Sequence, residues 1–174
     1  PQPVKLYYFA PVFRYDRPQA GRYRQHHQFG FEAIGDADPA LDAEIVDMGW
    51  QFYRSLGLER LSLQLNSIGC KVCRPNYLQV LKDHYAAQEG QLCNDCKARS
   101  ARNTLRLLDC KQKTCQSVAE NAPKSADFLC SDCAAHFASL EKYLRLLDIP
   151  FAINFRLVRG LDYYSRTVFE IQPE

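Results

Sequence analysis

Eight cysteines, all between positions 70 and 133, fall into four pairs: Cys70/Cys73, Cys93/Cys96, Cys110/Cys115 and Cys130/Cys133. Three pairs are C-x-x-C and one is C-x-x-x-x-C, spacings that let two thiolates converge on one tetrahedral ion. Eight ligands taken four to an ion make two zinc sites, and an all-cysteine shell leaves no open position for catalysis, so the zinc would be structural. A second reading suits the same residues: small, buried core side chains, as for Cys133 on an apolar helical face. Spacing alone does not say which pairs share an ion.

A second chemistry is written in "FRYDRPQAGRYRQHHQFGFE", residues 13–32, where Arg14, Arg17, Arg22 and Arg24 crowd around a Pro/Gly turn. Guanidiniums so close repel one another, and planar donors chosen over lysine favour phosphate or carboxylate partners. Residues 1–28 hold five basic groups (those four and Lys5) against one acid, Asp16. Glu32, Asp36, Asp38, Asp42, Glu44 and Asp47 then follow without a lysine or arginine between them. The formal charge of +2 therefore hides a local basic site. A solvated charged face is the plainer alternative.

The elements that must hold these residues can be read from periodicity. "KLYYFAPVF", residues 5–13, is aromatic and β-branched and predicts a strand, and residues 25–34 predict a second; "DRPQAG" between them has turn chemistry. Alternation puts Gln28, Gly30 and Glu32 on one face and Phe29, Phe31 and Ala33 on the other. Gly30, lacking a side chain, would leave a hollow between an amide and a carboxylate, suited to a small ligand with an ammonium or ring N–H. The alternative is a strand edge with two exposed polar residues. Arg14, where strand meets loop, would reach that hollow from above, with Arg22 and Arg24 gripping further phosphates. His26 and His27 point opposite ways, so at most one faces the hollow, and both read as ordinary structural histidines.

Asp38 followed by Pro39 starts a helix in which Leu41, Ile45, Met48, Phe52 and Leu56 form an apolar stripe until Gly57 closes it. "LSLQLN", residues 61–66, alternates as a strand. The cysteine-bearing stretch that follows predicts helices at 96–108 and near 132–147, the latter with Cys133, Phe137, Leu140, Leu144 and Leu147 on one face. "FAINFRLV", residues 151–158, and "TVFEIQ", residues 167–172, return to strand character. The chain thus reads as α+β: a core in residues 1–68, an inserted, mostly helical cysteine-rich subdomain in 69–148, and a return to the core in 149–174.

These residues resemble the class II aminoacyl-tRNA synthetases, and among them the histidyl-tRNA synthetase family. Residues 13–32 resemble that family's motif two, and "LVRGLDYYSRTVFE", residues 157–170, resembles its histidine-specific signature; "LNSIG", "NTLRLLDC" and "HF" in between look like the bacterial members. The resemblance implies part of an antiparallel class II catalytic sheet, and an enzyme that activates L-histidine with ATP and Mg²⁺ and transfers it to tRNA(His). It implies that Arg14 and Arg159 are catalytic, clamping the α-phosphate, with Arg22 also facing ATP. Gln28, Glu32, Arg159, Tyr163 and Tyr164 would hold the histidine. Taken by itself, "RGLDYY" reads as a tight turn with a buried tyrosine pair. The insertion's Lys82, Lys97, Arg99, Arg102, Arg106, Lys111 and Lys113 would rest on tRNA phosphates.

The family's motif one, its glycine-rich motif three and its anticodon-binding domain are not visible, so the resemblance implies an incomplete catalytic piece of a homodimeric parent, with little activity of its own. No run of about 18 apolar residues and no charged-then-apolar leader is present, which predicts a soluble, untargeted, cytoplasmic protein. That setting disfavours disulfides. Two other functions compete. One is a catalytically silent, synthetase-like regulatory subunit of histidine biosynthesis. The other is a stand-alone zinc-ribbon nucleic-acid binder, which leaves "RGLDYY" without a purpose.

Overall fold

A computed structural model describes residues 1–15, 17–100, 103–159 and 163–173. Asp16, Arg102 and positions 160–162 of the second motif lie outside them. The architecture is α+β, as the sequence predicts. Strands β1 (Val4–Phe13) and β2 (Gln25–Ile34) form an antiparallel pair in which Leu6 faces Glu32, Tyr8 faces Gly30 and Ala10 faces Gln28. The loop between them folds back through Gln19 and Arg22, which exchange backbone hydrogen bonds of 2.9 and 3.3 Å. Gly21 supplies the positive φ of 72° that this turn needs.

Helix α1 (Pro39–Ser55) starts where the sequence says it should: the Asp38 carboxylate accepts from Ala40 N at 2.8 Å, Pro39 opens the first turn, and Gly57 ends the helix at φ 83°. Its buried face differs from the predicted stripe. Ala43, Val46 and Trp50 enter the core, while Met48, Phe52 and Leu56 stay substantially exposed. The reason is a second neighbour, the hairpin: Phe52 stacks on Phe29 at 4.9 Å and Lys5 pairs with Glu44 at 2.5 Å. The ion pair is exposed and worth little; the aromatic contact fixes the hairpin on the helix.

The second sheet is centred on β3 (Leu61–Ser67), antiparallel to β5 (Thr167–Pro173) and parallel to the short β4 (Phe151–Ile153). Parallel pairing follows from the long crossover, since the whole insertion lies between β3 and β4. Leu61, Leu63 and Leu65 point into a core shared with Trp50, Phe137, Leu140 and Leu144. Full burial of each such leucine is worth roughly 1.5–3 kcal/mol. The strand predicted over 151–158 stops at Ile153. Asn154 turns the chain there, its Oδ1 accepting from Arg156 N at 3.1 Å and its carbonyl accepting from Leu157 N at 2.9 Å.

The insertion contains α2 (Arg74–Ala87), α3 (Asn94–Ser100) and α4 (Lys113–Glu120), with 3₁₀ turns at Glu89–Gln91, Thr104–Leu107 and Ser125–Phe128. The helix predicted over 96–108 is interrupted, because Asn103 takes φ −153° and ψ 87° and the chain resumes as a 3₁₀ turn that buries Leu105 and Leu107. A separate apolar cluster forms here around Tyr77, Leu81, Tyr85, Leu107 and Val118. Helix α5 (Ser131–Leu146) buries Phe137, Leu140 and Leu144 against α1 and β3, so it packs on the core layer rather than on the insertion. Among the described residues no helix is long and apolar enough to cross a membrane.

Candidate functional site

Period-two alternation gives the hairpin one polar face, carrying Arg14, His26, Gln28 and Glu32, and the register decides what sits between them. Tyr8 lies directly across from Gly30, and a Cβ built on that glycine would meet the Tyr8 ring at 2.2 Å. Gly30 therefore makes room for a neighbouring ring, and the open hollow expected there is filled by Tyr8. Gln28 Nε2 donates to the Tyr8 hydroxyl at 2.5 Å, which orients the amide along the strand. Arg14 is also placed differently from the expectation. Its guanidinium lies 2.8 Å from His26 Nε2, so the imidazole nitrogen accepts and Arg14 is held near the hairpin's far end. Arg22 sits at the exposed loop tip.

A cavity of about 770 Å³ opens along the second edge of β2, between β2, α1 and β5. Its polar lining includes Arg159, Gln28, His27, Tyr164 and Glu170, against walls from Phe29, Phe31, Phe52 and Phe169. Arg14, Arg22 and Glu32 are not among its lining residues. Arg159 is tethered there by a 2.5 Å bond from its guanidinium to the Phe169 carbonyl. Neither β2 nor β5 has a hydrogen-bonded partner on its second edge among the described strands, and consecutive residues of both border the cavity. A fixed guanidinium, an amide, a carboxylate and a phenol in an aromatic-walled cleft can orient a small polar molecule and neutralise developing negative charge.

Tyr163 and Tyr164 are not a buried pair. Their rings stack at 4.8 Å, and Tyr163 is 76% exposed. The Tyr163 phenol is raised above its ordinary pKa by its hydrogen bond with Tyr164 and that neighbour's charge, with the Glu32 carboxylate adding to the effect. Glu32 itself lines a separate, smaller cavity with Lys5, Phe31, Glu44 and Met48. The structure brings Gln28, Arg159 and Tyr164 to one cavity, with Tyr163 stacked on Tyr164, and leaves Glu32 in a separate cavity and Arg14 and Arg22 further along the hairpin.

Two buried polar residues, quoted above within "LNSIG" and "HF" but given no role there, stand close to the site. Buried Asn66 donates from Nδ2 to the carbonyls of Leu157 at 3.0 Å and Phe155 at 3.3 Å, and its Oδ1 accepts from Ser125 Oγ at 3.2 Å and Ser67 N at 2.9 Å. It fixes the segment that delivers Arg159. Buried His136 stands 3.8 Å from Asp42 in a neighbouring cavity of about 530 Å³ that also holds Arg74, Tyr163 and Tyr164. An asparagine inside an apolar strand was the available signal for the first, and the "HF" stretch for the second.

The eight cysteines gather into two tetrads, Cys70/Cys73/Cys130/Cys133 and Cys93/Cys96/Cys110/Cys115, with the sulfurs of each lying within 4.8 Å of one another. All are free thiols. Backbone N–H groups of Cys73 and Val72 pull Cys70 down to about 6, whereas burial pushes Cys133 up to about 12. In the other tetrad the Cys96 N–H lowers Cys93 to about 7, and burial raises Cys96. Lys82, Lys97, Arg99, Arg106, Lys111 and Lys113 are exposed on the insertion.

The family model described as histidyl-tRNA synthetase matches residues 1–172. The histidine–tRNA ligase of Dehalococcoides mccartyi is 68% identical over 172 residues, 99% of this chain and 41% of that protein. That of Desulforamulus reducens is 51% identical over 174 residues, 100% of this chain and 42% of its own length. Among solved structures, apo histidyl-tRNA synthetase from S. aureus superposes with a TM-score of 0.73 at 38% identity, covering 98% of this chain and 39% of that one. A Bacillus halodurans protein titled an ATP phosphoribosyltransferase regulatory subunit/histidyl-tRNA synthetase superposes at 0.62 with 18% identity over 99% of this chain and 48% of its own, a likeness of fold alone. The chain spans about two-fifths of the length of the curated relatives it matches.

Proposed function

This chain belongs to the histidyl-tRNA synthetase family, and on that premise we propose that the protein carrying it joins L-histidine to ATP and passes the activated histidine to tRNA(His). The observation that carries the proposal is the convergence of Arg159, Gln28 and Tyr164 on one cavity, with Tyr163 stacked on Tyr164. Gln28, Glu32, Tyr163 and Tyr164 would receive the amino acid, the carboxylate of Glu32 answering its ammonium and the aromatic rings its imidazole. Arg159 would hold the histidine carboxylate and the α-phosphate together.

The chemistry follows from that placement. When the histidine carboxylate oxygen attacks the α-phosphorus of ATP, the bond to pyrophosphate breaks, and negative charge moves onto oxygens that a fixed guanidinium stabilises. Arg14 would supply a second guanidinium after exchanging its His26 contact for phosphate, and Arg22 would grip the outer phosphates from the loop. Mg²⁺ would arrive on the nucleotide, whose phosphates provide most of its ligands. Zinc enters as a structural ion of the insertion, outside the reaction.

Residues 1–68 and 149–174 serve as catalytic layer in this reading, with α5 packed on it and the rest of the segment between them an insertion whose exposed lysines and arginines rest on tRNA phosphates. The parent would work as a homodimer in the cytoplasm. Titration calorimetry tests the pocket: L-histidine binds the parent-length protein, and Glu32→Ala abolishes the heat. Equal binding by that variant would remove the pocket assignment. The regulatory-subunit alternative has only likeness of fold behind it; histidine binding without any pyrophosphate exchange would favour it.

A further inference from the structure

The two cysteine tetrads have the dimensions of metal sites and different attachments to the rest of the molecule. A tetrahedral ion with metal–sulfur bonds of about 2.3 Å places its sulfurs about 3.8 Å apart. Cys70 Sγ lies 3.7 Å from Cys73 Sγ and 3.9 Å from Cys130 Sγ, and Cys93 Sγ lies 3.9 Å from Cys110 Sγ. These separations are too long for disulfides and fit an ion at the centre. Backbone amides already point at the sulfurs: Cys70 N to Cys73 Sγ at 3.2 Å, Val72 N to Cys70 Sγ at 3.4 Å, and Cys93 N to Cys115 Sγ at 3.2 Å. Such N–H···S bonds orient thiolate ligands from outside the coordination shell.

The second tetrad sits in the insertion's own apolar cluster, of which Cys96 and Cys115 are members. The first lies at the junction, joining the turn after β3 to the start of α5. Gly69, at φ 68°, leads into it, and a Cβ there would come within 2.8 Å of Cys73 Sγ. Immediately after Cys73, the Arg74 guanidinium donates to the carbonyls of Ile68 at 3.1 Å and Gly69 at 3.0 Å, and to that of Tyr164. Two backbone bonds of 2.8 Å bind the same strip to the tyrosine segment: Arg166 N to Gly69 O, and Ile68 N to Arg166 O.

We infer that the chain binds two structural zinc ions, one per tetrad, and that the ion at Cys70/Cys73/Cys130/Cys133 also positions the Tyr163–Tyr164 segment through Gly69 and Arg74. The other ion stabilises the insertion's apolar cluster, against which Val158 packs. The significance of the tyrosine segment for histidine rests on the function proposed above; the metal sites and their mechanical link do not.

The whole chain, purified under reducing conditions without chelator, is measured by elemental analysis and by hydrogen exchange. About two zinc ions per chain are expected, and a ratio near zero overturns the inference. Cys93→Ser/Cys96→Ser should keep about one ion and leave exchange at the Arg166 amide unchanged. Cys70→Ser/Cys73→Ser should keep about one ion and speed that exchange by about tenfold or more. Equal exchange in the two variants refutes the link, as does loss of both ions from either. Should a variant fail to fold, the unaltered chain decides. Cobalt must give the thiolate charge-transfer band of a tetrahedral site up to about two equivalents, and chelator must release Arg166 protection; absence of either counts against the inference.

Discussion

Asn66 and Leu157, 91 positions apart in sequence, are joined by a 3.0 Å hydrogen bond from the asparagine Nδ2 to the leucine carbonyl. The bond spans the entire insertion and carries the geometry of β3 into the two residues that precede Arg159. Asn66→Ala would strand the Leu157 and Phe155 carbonyls, while the Ser125 hydroxyl keeps its 2.7 Å bond to the Ser67 carbonyl. A loss of about 2–3 kcal/mol in urea denaturation is expected. A change below about 0.5 kcal/mol would mean that the segment is held by other contacts.

The Tyr8 ring over Gly30 makes a prediction of opposite character. Gly30→Ala leaves the ring to be displaced, at a cost of about 1–2 kcal/mol, because the clashing atoms lie at the movable end of a half-exposed side chain. Tyr8→Ala introduced together with Gly30→Ala should remove most of that penalty. Additive losses in the double-mutant cycle would show that the two positions do not interact.

Leu63 and Leu65 test the core beneath the site. Each is almost wholly buried, and leucine-to-alanine changes there should cost about 2–5 kcal/mol. Exposed Leu56, on the stripe that periodicity favoured, should cost less than about 1 kcal/mol when made alanine. Equal losses at Leu56 and Leu63 in thermal denaturation would contradict the observed orientation of α1 and β3.

The 174-residue chain by itself should show little histidine-dependent pyrophosphate exchange, because its cleft is bordered by two strand edges that have no partner among the described residues. Edges of this kind normally acquire a further strand or a cover. Exchange by the isolated chain at the rate of the parent-length protein would show that the cleft is complete as it stands.

Much of this was legible in the sequence, and the boundary is instructive. Both hairpin strands, the Asp38 cap with Pro39, the Gly57 terminator and the β3 strand come from short-range chemistry, which local periodicity reports faithfully. The C-x-x-C spacings announce clustered thiols but leave their partners open, since the joining of Cys70/Cys73 to Cys130/Cys133 depends on α5 returning to the end of β3. The choice between stripes on α1 required knowing that two layers contact one helix. Tyr8 filling the place beside Gly30 depends on strand register, and the Asn154 turn on a side-chain bond within a run of strand-forming residues. The family resemblance named Arg159, Gln28 and the tyrosines; it could not indicate that Arg14 rests on His26.

The central claim is that Arg159 acts at a histidine-activating cleft. Histidine-dependent exchange between ATP and pyrophosphate, measured on a protein of the relatives' full length carrying this chain, tests it directly. The unaltered protein should exchange only when histidine is present, and Arg159→Ala should lower the rate by about 10²–10³-fold with zinc content unchanged. Exchange indifferent to histidine, or an Arg159→Ala variant as fast as the unaltered protein, would contradict the account.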